Sequence, residues 1–126
     1  MGTAQARDVL AERGDYRALH DLRDPRGYEM AAEWVRHAGP GVGGTELRLA
    51  VAIVGLSGDS RHVPTLLPLL EHPDPEVQYS AAYQLARLGV PEGERRLEEF
   101  ASTPGFVHYL AAGANLAEIR RRRDGG

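Results

Sequence analysis

The sequence predicts an all-α protein in which helical hairpins of similar build lie side by side. Apolar residues recur with a helical period, and glycine and proline interrupt that period at helix-sized intervals. A pair of small residues recurs every thirty positions, at Val51-Ala52, Ala81-Ala82 and Ala111-Ala112. No stretch alternates convincingly between polar and apolar residues, as a half-buried strand would.

Length and composition are those of one compact domain. A chain of 126 residues buries roughly two-thirds of its unfolded surface. The net charge of −3 argues against a general nucleic-acid binder, which carries a basic excess. The absence of cysteine excludes disulfides and thiolate metal sites. No signal peptide and no apolar run of membrane-spanning length is present, so we expect a cytoplasmic protein without membrane contact.

The N-terminal residues predict a helical cap on the hairpins. Within residues 1–24 we expect one helix at 3–13, which Gly14 ends, and a second short helix at 15–23. This segment matches no known repeat pattern.

The first hairpin is predicted at residues 25–59. Its first helix spans 25–38, and Pro25 suits the first turn because the N–H that proline lacks has no helical partner there. A glycine-rich loop at 39–44 follows, and the second helix covers 45–57.

The second hairpin is predicted at 60–89, and residues 90–123 are predicted to form the third hairpin and a C-terminal cap. Pro68 should kink the first helix of the second hairpin or begin a new helix, because proline cannot donate a helical hydrogen bond. The predicted helices of these two units are 61–71, 75–88, 91–102 and 105–122.

The thirty-residue repeat indicates how the hairpins stack. Leu47, Val77 and Val107 precede the three small pairs by four positions, and a turn-rich segment precedes each second helix. Small residues let one helix approach the next closely, so stacked units share a core that none could bury alone.

One stretch carries a family resemblance. It contains Val63-Pro64, the turn Pro73-Asp74-Pro75-Glu76-Val77, the pair Ala81-Ala82, and Leu88-Gly89. This pattern resembles a HEAT repeat and is similar to the short bacterial kind in the phycobilin lyase HEAT-like group. The resemblance implies a right-handed α-solenoid (an α-α superhelix) of about three hairpins, whose second helices line a concave surface used for protein–protein contacts.

Residues on the second helices form a predicted binding strip. Stacking the units would place Leu49, Tyr79 and Tyr109 in a ladder, and tyrosine is favoured at interfaces. The alternative is that one or two tyrosines pack into the core between repeats with exposed hydroxyls. The predicted partner-binding residues are Arg48, Leu49, Ile53, Gln78, Tyr79, Tyr83, Arg87, His108 and Tyr109.

The other candidate site residues are predicted to have structural roles. Trp34 is predicted to anchor the core of the first unit. Glu33 and His37 have a spacing that could share a metal, but no third ligand is placed, and metal sites take three or four. The run 120–123 is most simply a set of cations favoured at a helix C-terminus. We therefore expect no catalytic residue, no cofactor and no metal.

The predicted function is that of a non-catalytic protein–protein interaction module. Three repeats offer a small surface, which suits a helix, peptide or loop of a partner protein on the concave face. The alternative is an accessory subunit or an enzyme of the HEAT-like lyase or DNA glycosylase type, acting on a small molecule or a nucleic acid. A homodimer through a terminal repeat is left open, because short solenoids expose apolar ends.

Overall fold

All regular structure in the described part of the chain is helical, which confirms the predicted all-α class. The computed structural model describes residues 3–38 and 44–125. Two 3₁₀ turns, Ser60–His62 and Leu67–Glu71, flank the short helix Val63–Leu66. The α-helices in these ranges are α1 (Thr3–Glu12), α2 (Tyr16–Asp21), α3 (Arg26–His37), α4 (Gly44–Leu56), α5 (Val63–Leu66), α6 (Pro75–Arg87), α7 (Pro91–Ala101) and α8 (Tyr109–Gly125).

The N-terminal helices are started by aspartates and packed through a glycine. Asp15 Oδ1 accepts the Ala18 N–H at 3.1 Å, and Asp24 Oδ1 accepts the Arg26 N–H at 3.0 Å. Both bonds satisfy donors that a helix start leaves unpaired. A Cβ at Gly27 would lie 2.9 Å from the His20 backbone nitrogen, so only glycine permits this approach of α2 and α3.

The second helix of the first unit begins at Gly44, one residue earlier than predicted. Gly44 has φ +79°, in the left-handed region where a Cβ is strained. The rest of the predicted loop, 39–43, lies outside the described residues.

The first helix of the second unit is broken, as Pro68 predicts. Regular α-helix covers only Val63–Leu66, and the chain then tightens into the 3₁₀ turn Leu67–Glu71. Leu66 and Leu70 are buried in these pieces, so the broken helix still covers the core.

Helix α6 is the centre of the molecule and packs between α4 and α7. Asp74 Oδ1 accepts the Glu76 N–H at 3.0 Å and starts the helix. Ala81 and Ala82 are both fully buried. A Cβ at Gly93 of α7 would lie 2.7 Å from the Ala82 carbonyl oxygen. The small pair in α6 therefore matches a close helix crossing, as the sequence predicts.

The third unit departs from the predicted register. Its second helix begins at Tyr109, whereas the prediction was 105, because residues 105–108 form turns. Val107 is 75% exposed, whereas Leu47 and Val77 are fully buried. Leu110 is 73% exposed as well. No further helix of the described chain covers α8 at this apolar end. The homodimer that the sequence leaves open would form through this end.

Candidate partner-binding surface

One carboxylate contacts side chains from α4 and from the turn before α8. Glu76 at the start of α6 pairs with Arg48 of α4 at 2.6 Å. Its other oxygen lies 3.1 Å from His108 Nε2, just before α8. Residues about thirty positions apart are thus neighbours here. Two residues of the predicted strip, Arg48 and His108, meet on a side chain that the sequence analysis did not single out.

Tyr79 is an anchor between helices. Its ring stacks on His108 with centroids 5.5 Å apart and packs against Phe100 and Phe106 at 5.8 and 5.6 Å. Its hydroxyl accepts a hydrogen bond from Asn115 Nδ2 at 2.6 Å, and burial raises the pKa of Tyr79. These contacts correspond to the packed-tyrosine alternative. The two phenylalanines, unassigned from the sequence, complete the cluster.

The three residues of the predicted ladder, Leu49, Tyr79 and Tyr109, differ in exposure. In the described part of the chain no ring contact joins Tyr79 to Tyr109, and the rings that contact Tyr79 are those of Phe100, Phe106 and His108. Leu49 is 38% exposed, and Tyr109 is half-buried. Leu49 is therefore the exposed member of the three, whereas Tyr79 and Tyr109 are half-buried.

Two other members of the strip do not face solvent freely: Ile53 is buried, and Gln78 is hydrogen-bonded to a nearby backbone carbonyl. Ile53 was predicted to face a partner, but only 2% of it is exposed. This placement corrects that part of the prediction, since Ile53 belongs to the buried hydrophobic cluster of the core. Gln78 donates from Nε2 to the His72 carbonyl oxygen at 2.6 Å, a bond across the turn that precedes α6.

Tyr83 and Arg87 lie in a groove at the opposite end of α6. The C-terminal half of α6, the start of α7 and the C-terminal half of α8 enclose about 760 Å³. The side chains that define its walls are Tyr83, Arg87, Leu88, Glu94, Asn115, Glu118, Ile119, Arg122 and Arg123. We call this the α6–α8 groove.

Most charges in the α6–α8 groove are already paired. Glu94 accepts from Arg120 at 2.6 Å and from Arg123 at 2.8 Å, and the Arg120 hydrogen bond leads in lowering the pKa of Glu94. Arg122 pairs with Glu118 at 2.9 Å. These contacts give the basic run 120–123 carboxylate partners on two helices.

Arg87 differs from these arginines. Its Nη1 donates to Gln84 Oε1 at 3.3 Å, and its guanidinium carbon lies 5.7 Å from the Tyr83 ring centroid. Within residues 3–38 and 44–125 no carboxylate pairs with it. Arg87 is also exposed, so the α6–α8 groove presents one uncompensated cation beside an aromatic ring.

The other predicted site features are local contacts. Glu33 Oε1 and His37 Nε2 are 3.0 Å apart. No group of three potential metal ligands from His, Asp and Glu occurs in the described ranges. None of the described helices has the length and apolar character to cross a membrane.

Comparison with known proteins identifies the repeat. The family model described as HEAT repeats matches residues 46–117, which is more than half of the chain and runs from α4 into α8. Neither the curated proteins nor the solved structures give a match.

Proposed function

The chain belongs to the HEAT-repeat family, and from that premise we propose that it is a non-catalytic protein-interaction module. HEAT repeats commonly serve this role. We propose further that its three hairpins continue one right-handed superhelix, with α4, α6 and α8 on the concave side. The contacts of Glu76 with Arg48 and His108 support this order, because they join the three units in sequence. The finer likeness to the phycobilin lyase group stays a prediction.

We propose that the partner segment docks in the α6–α8 groove. The single observation that carries this proposal is Arg87, an exposed cation with a ring beside it and no ion-paired carboxylate among the described residues. Ile119 and Leu88 supply half-buried apolar surface in the same groove. A helix, peptide or loop with one acidic side chain next to apolar ones complements these features.

The same contacts support binding without catalysis. Glu94 has a pKa lowered by Arg120, so it is held as an ion-paired carboxylate and is a poor proton donor. Nucleic acid is a poor candidate for the groove, because Arg120, Arg122 and Arg123 are engaged by Glu94 and Glu118. Weak, salt-insensitive retention of oligonucleotides would agree with this assignment.

The test compares two charge reversals. A partner captured by the wild-type protein is purified, and its affinity is measured for Arg87→Glu and for Arg95→Glu. Arg95 is an exposed arginine on α7 that lies outside the groove lining, so it is a matched control for net charge. We expect Arg87→Glu to weaken binding at least about tenfold and Arg95→Glu to leave it near wild type.

Tyr83→Ala is the second variant, since truncation removes the ring beside Arg87 without adding charge. Thermal melts confirm that each variant is folded. Equal affinities for Arg87→Glu and Arg95→Glu would show that the partner docks elsewhere.

A further inference from the structure

A second cavity lies at the other end of the molecule, on α3. It encloses about 470 Å³ between α3 and the chain that joins α1 to α2. Its lining residues are Gly14, Tyr16, Met30 and Trp34, with Glu29, Glu33 and His37. We call it the Trp34 pocket. None of these residues contributes to the α6–α8 groove.

Two aromatic rings form a corner of the Trp34 pocket. The Trp34 and Tyr16 centroids are 6.3 Å apart with an interplanar angle of 43°. Tyr16 is buried and its hydroxyl donates to Glu46 Oε1 at 3.4 Å, which holds the ring in place. Trp34 packs against the core on one side, as predicted, but stays only half-buried. The ring surface left over therefore faces the pocket.

The charged groups of the lining are acidic. Glu29 and Glu33 side chains are 57% and 62% exposed and lie one helical turn apart, in the row of α3 next to Met30 and Trp34. No arginine belongs to the lining. Arg36 forms an ion pair with Glu33 at 2.9 Å and His37 Nε2 lies 3.0 Å from its other oxygen; Arg36 and then His37 lower the pKa of Glu33, so this carboxylate stays charged.

Glu29 keeps a free acceptor. Its Oε1 faces Arg61 at 3.3 Å and His62 at 3.7 Å, from outside the lining. Its Oε2 has no partner among the described residues. A carboxylate oxygen with open lone pairs, in a pocket that also holds an aromatic ring, favours a positively charged ligand, because a cation gains from both the ring face and the anion.

We propose that the Trp34 pocket binds the side chain of a lysine or arginine that projects from a partner polypeptide. The aliphatic stem lies against Met30 and Tyr16, as long basic side chains do on apolar surface. The charged head lies over the exposed part of the Trp34 ring and pairs with Glu29. The site is thus opposite in charge preference to the α6–α8 groove.

The single tryptophan makes the proposal directly measurable. Trp34 is the only tryptophan in the chain, so its fluorescence reports on ligands in this pocket alone. The probes are three blocked pentapeptides, Ala-Ala-X-Ala-Ala with acetyl and amide ends, in which X is arginine, lysine or leucine. We expect the arginine and lysine probes to change the Trp34 emission with millimolar dissociation constants. The leucine probe should bind at least about threefold more weakly.

Two isosteric variants separate charge from shape. Glu29→Gln removes the proposed counter-charge, whereas Glu92→Gln removes an exposed carboxylate at the start of α7. We expect Glu29→Gln to weaken the arginine probe about three- to tenfold and to flatten its salt dependence. Glu92→Gln should leave the dissociation constant unchanged.

Three outcomes would overturn the proposal. Leucine binding as tightly as arginine would make the pocket an apolar anchor site. Equal effects of Glu29→Gln and Glu92→Gln would remove Glu29 from the site. Unchanged emission with all probes up to about 20 mM would mean that the pocket takes no side chain of this class. None of these results bears on Arg87, so the groove proposal is tested separately.

Discussion

Gly93 offers the most direct test of the α6–α7 crossing. A Cβ at this position would lie 2.5 Å from the Ala86 nitrogen and 2.7 Å from the Ala82 carbonyl oxygen. Ordinary contact begins near 3.4 Å, so α7 must move away by about 0.7 to 0.9 Å in Gly93→Ala. Because both contacted atoms are backbone, no side chain can give way in their place.

The expected cost follows from two opposing effects. Overpacking a well-packed contact costs about 1–3 kcal/mol, whereas alanine in place of glycine favours a helix by about 0.5–1 kcal/mol. We expect a net loss of about 1–2 kcal/mol in the free energy of unfolding. For a domain of this size that loss lowers the melting temperature by roughly 3–8 °C.

Gly113→Ala is the matched control. Gly113 lies inside α8, where a Cβ would meet only the Ala101 Cβ at 3.9 Å. The same substitution should therefore raise the free energy of unfolding by about 0.5–1 kcal/mol. Urea titrations of both variants measure the two signs. If Gly93→Ala proved as stable as Gly113→Ala, the tight crossing of α6 and α7 would be refuted.

Three further substitutions test the core, a helix start and an ion pair. Ala81→Leu should cost about 1–3 kcal/mol, since Ala81 is fully buried; an unchanged melting temperature would place Ala81 at the surface. Asp74→Ala removes the acceptor for the Glu76 N–H and should cost about 1 kcal/mol in urea titrations, whereas a neutral result would mean that water replaces the cap. The Arg26 side chain, and then the Arg26 N–H, lower the pKa of Asp24 from 3.8 to about 2. The ionised form therefore favours the folded state, and this contribution is complete above about pH 4 and lost as pH falls towards 2. Asp24→Asn should lose less stability than wild type between pH 5 and pH 2, and parallel urea midpoints would contradict the assignment.

Local signals placed most of the helices correctly. Asp15, Asp24 and Asp74 accept backbone N–H groups at helix starts, and Pro68 breaks the helix that it enters. These effects depend on a few neighbouring residues, so a sequence reader can assign them. The start of α8 was predicted too early, at residue 105, because no capping residue at 105–108 marks where the turns end and α8 begins.

The partner-facing side chains were harder to predict. A period of thirty residues correctly indicated that Arg48 and His108 lie near the second unit, and Glu76 joins them. It could not indicate that Ile53 is buried or that Phe100 and Phe106 surround Tyr79. Both outcomes depend on residues from other helices.

The sequence by itself determined the helical class, the repeat and the buried small pair in α6, because each depends on periodicity and on backbone chemistry along one segment. Only the tertiary structure decided which of the tyrosine and arginine side chains face solvent. That choice depends on the rotation and spacing of packed helices, which set whether Tyr79 is enclosed and whether Arg87 is left beside an open groove. A helix has one sequence but several possible neighbours, and the neighbour determines which of its faces remains exposed.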